Sequence, residues 1–168
     1  PAQRSDAVRR IAQIDDSRVR DILCKHMIKE TDAKTFDQAR RELSRITGVE
    51  LKAKVGMAEA ARAERIKRWG TWVDAKPKVA QALAEKDGAK RAKLIAALAD
   101  YKHALVVDAL LVQLLKEKDA TALGEISTAV ERIVPKGLIV TSSMTPAQIK
   151  RAADQFKAWW TDNRKDFE

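Results

Sequence analysis

Cysteine, glycine, proline and aromatic residues are all scarce in this chain of 168 residues. The single cysteine, Cys24, has no partner for an internal disulfide, so the chain needs none to fold. Six glycines and four prolines are too few for a fold rich in tight turns, which excludes an all-β architecture and disfavours disorder. No stretch approaches the roughly 18 uncharged apolar residues of a membrane-spanning helix. We therefore expect a soluble, predominantly helical protein.

Sequence motifs of common catalytic, phosphate-binding and zinc-binding sites are absent as well. The sequence contains no Gly-rich phosphate loop, no zinc signature and no nucleophile elbow. Cys24 and His26 point to different sides of any helix that contains them, so they are unsuited to one metal ion. We expect no enzymatic activity, no cofactor and no metal, and we interpret Cys24 as a small core residue.

Positive charge is in excess, with 33 Lys and Arg against 24 Asp and Glu and a formal net charge of +9. Residues 1–84 hold 19 of the basic and 12 of the acidic residues, so most of the excess lies there. A mixed-sign helical surface explains this excess, and attraction to nucleic acid, an anionic lipid surface or an acidic protein is the alternative. The start at Pro1 indicates a processed or trimmed end, and localisation stays open between the cytoplasm and export after processing.

The sequence repeats itself at an offset of 87 residues. The segment KETDA at residues 29–33 recurs as KEKDA at residues 116–120, and no gap is required. Other matches at this offset are Val19 with Val106, Asp21 with Asp108, Arg45 with Arg132, Trp69 with Phe156, and Trp72 with Trp159. This register predicts two tandem units, residues 1–87 and 88–168, that together form one continuous domain.

Apolar residues within each unit recur at helical spacing. The predicted helices lie near 8–14, 16–30, 36–46, 57–73, 89–101, 103–117 and 120–134, and an eighth begins at Thr145. Asp32 and Asp119 stand where helices begin and are interpreted as N-caps, and Gly48 follows a helix end. Thr145 and Gln148 have the spacing of a capping box. The segments Leu51-x-Ala53-x-Val55 and Leu138-Ile139-Val140 are predicted to lie extended across the helices.

A helix pair recurs about every 43 or 44 residues, which is the period of HEAT and armadillo repeats. The run ARRELSRITG at residues 39–48, followed by Trp69-x-x-Trp72, resembles bacterial HEAT-like repeat proteins in which a helix ending in Thr-Gly precedes a helix ending in paired tryptophans. The second unit keeps the aromatic end as Phe156-x-x-Trp159-Trp160 but has Val134-Pro135 in place of Thr-Gly. The resemblance implies an all-α fold, a short HEAT-like α-solenoid of about eight helices, that serves as a scaffold or binding module.

Basic residues accompany the first pair of tryptophans. Arg62, Arg65, Lys67 and Arg68 precede Trp69 and Trp72 on the same predicted helix, and such a strip could contact phosphates and stack bases. The second unit retains the aromatic residues but has Ile149, Ala152 and Gln155 in place of the three arginines. We therefore interpret Trp69, Trp72, Phe156 and Trp159 as structural, and the four basic residues as candidate binding residues of the first unit.

The sequence supports two candidate functions and gives less support to a third. The first is a non-catalytic protein-interaction or scaffold module with a protein partner, because the repeat is present and catalytic motifs are missing. The alternative is a nucleic-acid-binding domain that uses the basic N-terminal half. HEAT-like folds also include DNA glycosylases, which makes a repair enzyme the third candidate. The sequence leaves the identity of the partner and the oligomeric state open.

Overall fold

Helices account for all of the regular secondary structure in the part of the chain that the structure describes. The computed structural model describes residues 2–14 and 16–167, which form eight α-helices and one 3-10 turn and contain no β-strand. The helices are α1 (Ala2–Ile11), α2 (Val19–Lys29), α3 (Ala33–Thr47), α4 (Glu59–Ala84), α5 (Gly88–Leu98), α6 (Ala104–Leu114), α7 (Ala120–Ile133) and α8 (Pro146–Asn163), and the 3-10 turn is Arg164–Phe167. The predicted all-α fold is confirmed.

Helix starts recur at the spacing of the sequence repeat. The starts of α3 and α7 are 87 residues apart, and so are those of α4 and α8. The other two pairs agree with this offset to within two residues. The chain divides into two compact units, Pro1–Gly70 and Thr71–Glu168, so the division falls inside α4, whereas the sequence repeat places its boundary between residues 87 and 88.

The length of α4 explains where the compact units divide. The sequence predicts that this helix ends near Val73, yet it continues through Pro77 to Ala84. Ala75, Val79 and Ala82 are buried at helical spacing in the core of the second unit. Burial of this apolar stripe outweighs the hydrogen bond that Pro77 cannot donate. The second half of α4 therefore belongs to the second unit.

The first unit has its core between α1, α2, α3 and the start of α4. The apolar side chains buried there are Val8, Ala12, Val19, Leu23, Met27, Phe36, Ala39, Leu43, Leu51, Ala53, Ile66 and Trp69. They are spaced i, i+4 and i+8 on α2 and i, i+3 and i+7 on α3, which gives each helix one apolar face. Helix α1 packs mainly on α3. Its start at Ala2 lies well before the predicted start near residue 8, because only Val8 of this helix is buried and the sequence gives little apolar signal there.

The second unit is built around α5, α6 and α7. Buried side chains of α7 are Ala122, Leu123, Ile126, Ala129, Val130 and Ile133, and they pack on α5 and α6. Phe156 and Trp160 bring α8 onto this core. The Trp160 indole N–H also donates to Asp108 at 2.8 Å, and Arg164 donates to the same carboxylate at 2.7 Å. Asp108 therefore ties the end of α8 to α6.

The predicted helix ends are confirmed at several positions. The Asp32 carboxylate accepts from the Thr35 N–H at 2.8 Å, and Asp119 accepts from the Ala122 N–H at 2.9 Å. Thr145 and Gln148 form the reciprocal bonds of a capping box. Gly48 has φ +63°, a left-handed conformation that strains every L side chain. It ends α3 and directs the chain into the segment that follows.

Two glycines of the second unit respond to alanine in opposite ways. A Cβ at Gly88 would collide with the Asp119 carboxylate, which must then leave its cap position on α7. Gly124 lies within α7 with no atom near the place of its missing Cβ. We expect Gly88→Ala to lower the free energy of unfolding by about 1–2 kcal/mol and Gly124→Ala to raise it by about 0.5–1 kcal/mol. Urea denaturation measures both, and equal effects of the two substitutions would contradict the described contact.

Candidate functional site

Arg62 is a structural residue and is not presented to a partner. Its side chain is buried, with the residue 5% exposed, and its guanidinium lies 5.2 Å from the centre of the Phe36 ring. The two terminal nitrogens donate to five backbone carbonyls, those of Met27, Ile28, Glu30, Val55 and Met57. The first three lie at the C-terminal end of α2, where helical carbonyls lack partners of their own. Arg62 thus joins α4 to the end of α2 and to the loop before α4.

The other three candidate cations do not form one patch with Arg62. Arg65 and Lys67 are exposed, but they are two residues apart on a helix and so point to different sides. Arg68 is half-buried, and its Nε donates to the Glu64 carboxylate at 2.8 Å. The basic strip that the sequence predicts along α4 is therefore divided between a buried brace, an intrahelical ion pair and two separated surface charges.

The aromatic residues that the sequence assigns to structural roles pack against protein groups, but Trp72, from the first sequence unit, does so against the core of the second compact unit. The Trp69 indole N–H donates to the Val49 carbonyl at 3.1 Å. Trp72 stacks on the His103 ring with 5.6 Å between ring centres. Phe156 is buried in the second core, and Trp159 is partly buried beside it. Trp69 and Phe156 are buried and offer no open ring face for base stacking, while Trp72 and Trp159 are half-buried.

No cluster suited to a metal occurs among residues 2–14 and 16–167. These residues contain no group of three or more His, Cys, Asp or Glu side chains placed to hold an ion. Cys24 is half-buried, and burial raises the pKa of its thiol to about 11. The thiol therefore stays protonated at neutral pH and is a poor nucleophile.

Sequence reasoning missed a buried ion pair in the second unit. The Glu117 side chain is 1% exposed and receives two hydrogen bonds from Arg91, at 2.6 and 2.8 Å. Gln113 and the backbone N–H groups of Lys118 and Asp119 donate to the same carboxylate. Burial alone would raise the pKa of Glu117, but these hydrogen bonds outweigh it and lower that pKa to about 2.

The first unit has the same arrangement at the matching positions. The Glu30 side chain is also 1% exposed, and it accepts from Arg4 and from the backbone N–H groups of Thr31 and Asp32. Arg4 and Glu30 stand 87 residues before Arg91 and Glu117. The recurrence of this Arg and Glu at an offset of 87 residues is the sequence signal that could have predicted the ion pair. In each unit the ion pair ties the first helix to the turn between the second and third helices.

A groove lies beside α3 in the first unit, and we call it the α3 groove. It has a volume of about 480 Å³. One wall is α3, and the other is the irregular segment that leads from Gly48 towards α4. The lining residues are Ala33, Phe36, Asp37, Arg40 and the six residues Glu50–Val55.

Positive charge exceeds negative charge around the α3 groove. Lys52 and Lys54 are exposed on the segment wall, and Arg40 lies on the helix wall. The Asp37 carboxylate is held by Arg40 at 2.8 Å and by Arg41 at 3.0 Å. Glu50 is the remaining acidic residue of the lining. Three cations of the lining therefore face two carboxylates.

Burial alternates along the segment wall of the groove. Leu51 and Ala53 are buried, whereas Lys52 and Lys54 are exposed. This alternation is that of an extended chain, as the sequence predicts. The Leu51 N–H donates to the Ser44 hydroxyl of α3 at 3.1 Å. Within the described part of the chain, the N–H and C=O of Ala53 make no hydrogen bond.

The matching segment of the second unit is bonded differently. Leu138 and Val140 are buried there, and Ile139, at the place of Lys52, is 71% exposed. The Ser127 hydroxyl of α7 donates to the Leu138 carbonyl and accepts from the Val140 N–H. Val140 occupies the position of Ala53, so a side chain already holds the N–H group that is unbonded in the first unit.

A second groove of the first unit lies between the α1–α2 turn and the C-terminal end of α3. We call it the α1–α2 groove, and it has a volume of about 800 Å³. Ile14 and Ile46 are exposed apolar residues in its lining. Of its two cations, Arg45 already donates to the Ala12 carbonyl and to Glu42, and Arg20 pairs with Asp21 at 3.5 Å. This groove therefore offers apolar surface but little unengaged charge.

Comparison of the chain with protein-family models, with curated proteins and with solved structures found no match. Among the helices of the described residues, none has the length and apolar character needed to cross a membrane. Fold and geometry together define an all-α protein whose first unit has an open, basic groove.

Proposed function

We propose that this protein is a non-catalytic interaction module of HEAT-like repeats that binds a segment of a partner protein in the α3 groove. The observation that carries the proposal is the wall of this groove, where an irregular segment presents an unbonded backbone N–H and C=O next to exposed lysines. Grooves of this kind recognise peptides by combining backbone hydrogen bonds with side-chain contacts.

The protein partner is preferred over nucleic acid for two reasons. A nucleic-acid surface needs several cations along one track, and the candidate cations of α4 are divided between a buried site and separate faces. Single-strand binders also need open aromatic faces, and the tryptophans are packed against protein groups. Backbone groups at a groove edge favour a peptide.

Selection from a random peptide library tests the proposal. The immobilised full chain should enrich peptides that bind in solution with dissociation constants in the micromolar range, on the order of 1–100 μM. Lys54→Glu should weaken them by about tenfold, because it replaces an attractive charge at the groove by a repulsive one. The matched control is Lys29→Glu, which makes the same charge change on an exposed residue of α2 and should leave binding within about twofold.

Two results would overturn this assignment. One is the absence of any enriched peptide, and the other is equal binding of the enriched peptides to the Lys54→Glu and Lys29→Glu variants. Single-stranded and duplex oligonucleotides serve as competing probes. Binding to them that falls steeply with salt, with no peptide bound, would favour the nucleic-acid alternative.

A further inference from the structure

We infer that the occupant of the α3 groove is an extended acidic segment of a partner protein, which pairs with Ala53 as an added β-strand. This inference rests on the proposed function and states how the partner binds. Strand addition is a common mode of peptide recognition, in which main-chain bonds give affinity and alternate side chains give specificity.

The ends of the segment wall are held by side chains of rigid helices. Trp69 of α4 donates to the Val49 carbonyl, and Arg62 of the same helix donates to the Val55 carbonyl. Between them, Ser44 of α3 accepts from the Leu51 N–H. These three bonds fix the course of the chain before any ligand arrives, and such preorganisation reduces the entropy lost on binding.

The residue with the unbonded backbone groups, Ala53, is 4% exposed and is part of the groove lining. The Leu51 N–H points towards α3, where it meets Ser44. Residues two apart on an extended chain direct their backbone groups to the same side, so the N–H and C=O of Ala53 also point towards α3. The groove is lined by residues of both α3 and this segment. A peptide strand laid in the groove can therefore donate to and accept from Ala53.

Side-chain charge selects an acidic strand. Lys52 and Lys54 are both exposed and are two residues apart, so they project from the same face of the segment. Residues of an added strand that lie opposite them on that face are cross-strand neighbours, and opposite charges are favourable there. Arg40 and Arg41 neutralise the nearby Asp37. The strand that fits best has acidic residues at every second position and apolar residues between them, which face Phe36 and Val55.

The matching segment of the second unit lacks the features that would allow an added strand in the first unit. Ser127 occupies the Leu138 carbonyl and the Val140 N–H, and the residues at the positions of Lys52 and Lys54 are Ile139 and Thr141. Both the backbone edge and the positive charge are therefore missing at the matching segment. The inference predicts one peptide site in the chain, in the first unit.

The test uses designed fluorescent peptides and the full chain. The probe is a capped peptide of about eight alternating Glu and Val residues, which is long enough to span the segment. Fluorescence anisotropy should show binding by this probe and binding that is weaker by about tenfold for an alternating Lys and Val peptide. A third probe has the Glu and Val sequence with every second backbone nitrogen methylated. Methylation of the nitrogens that face Ala53 should lower affinity by about tenfold, because they can no longer donate. Two peptides are therefore measured, one methylated at the odd positions and one at the even positions.

Paired variants separate groove electrostatics from total charge. Lys52→Glu combined with Lys54→Glu should reduce affinity for the Glu and Val probe by about tenfold or more. Lys25→Glu combined with Lys29→Glu makes the same change of net charge on α2 and should leave affinity within about twofold. All four lysines are exposed, so the variants should fold like the parent protein.

The outcomes distinguish this inference from the proposed function. Equal binding of the parent and both methylated probes would overturn strand addition, while library peptides that depend on Lys54 would still support a protein-binding groove. Equal effects of the two lysine pairs would also overturn it. Binding of single-stranded oligothymidine that depends on Lys52 and Lys54, with no peptide bound, would overturn it in favour of nucleic acid.

Discussion

Replacing Arg62 by methionine lowers the free energy of unfolding by about 3–5 kcal/mol. Methionine keeps part of the apolar stem but removes the donors for five backbone carbonyls at the end of α2 and in the following loop. Buried carbonyl groups that lose a charged donor are costly, because water cannot replace it there. Urea denaturation followed by tryptophan fluorescence measures the loss.

The control for Arg62 is a second arginine on the same helix. Arg65 is exposed, and Arg65→Met should change the free energy of unfolding by less than about 0.5 kcal/mol. A similar loss in the two variants would mean that Arg62 does not act as the brace described. Arg62→Lys should recover only part of the stability, because one ammonium cannot reach carbonyls on two segments as a planar guanidinium does.

Glu117→Gln lowers stability by about 3 kcal/mol at neutral pH, and the difference from the parent protein shrinks as the pH falls. The pKa of Glu117 is lowered from 4.5 in the unfolded chain to about 2 in the folded protein. A carboxyl with a depressed folded pKa stabilises the fold above the unfolded pKa and loses this contribution as the pH falls towards the folded pKa. The difference of 2.5 between these pKa values corresponds to about 3 kcal/mol.

Denaturation of both proteins at several pH values between 7 and 2 measures this effect. The gap between parent and variant should be constant above about pH 5 and should close between about pH 4.5 and pH 2. Exposed Glu131 supplies the control, since Glu131→Gln should change stability by less than about 0.5 kcal/mol throughout. A gap that stays constant down to pH 2 would contradict the ion pair with Arg91.

Local features of the fold could be predicted from the sequence, because short spacings determine them. The Asp32 and Asp119 caps, the Thr145 capping box and the glycine at Gly48 each depend on residues within one helical turn. The alternation of Leu51 and Ala53 with exposed residues is likewise a local pattern. The all-α fold follows from the sum of such signals.

Arg62 shows what local spacing cannot predict. Its acceptors at the end of α2 are 32 to 35 residues away in sequence, so no pattern along α4 distinguishes it from Arg65. The available signal was the second unit, where the matching residue is Ile149, a side chain packed against the core. The residue that matches exposed Arg65 is the small Ala152, so the size of the matching core side chain was the difference between the two positions.

The candidate site depended on contacts that the sequence does not encode locally. The extended segment was predicted, but the α3 serine that contacts it, Ser44, bonds Leu51 and leaves Ala53 without a partner among the described residues. In the second unit Ser127 of α7 bonds the matching segment. Where the second unit has Ser127, the first unit has Arg40. This one difference accompanies both the unbonded backbone groups of Ala53 and an additional cation at the groove.

Two-dimensional NMR of the full chain with the Glu and Val peptide tests the central claim most directly. The account predicts shifted amide resonances for Leu51–Lys54 and slower hydrogen exchange at Ala53, because its N–H gains a partner. The matching residues Ile139 and Val140 should not change. Resonance changes at Ile14 and Ile46, in the α1–α2 groove, with none at Ala53 would contradict the account.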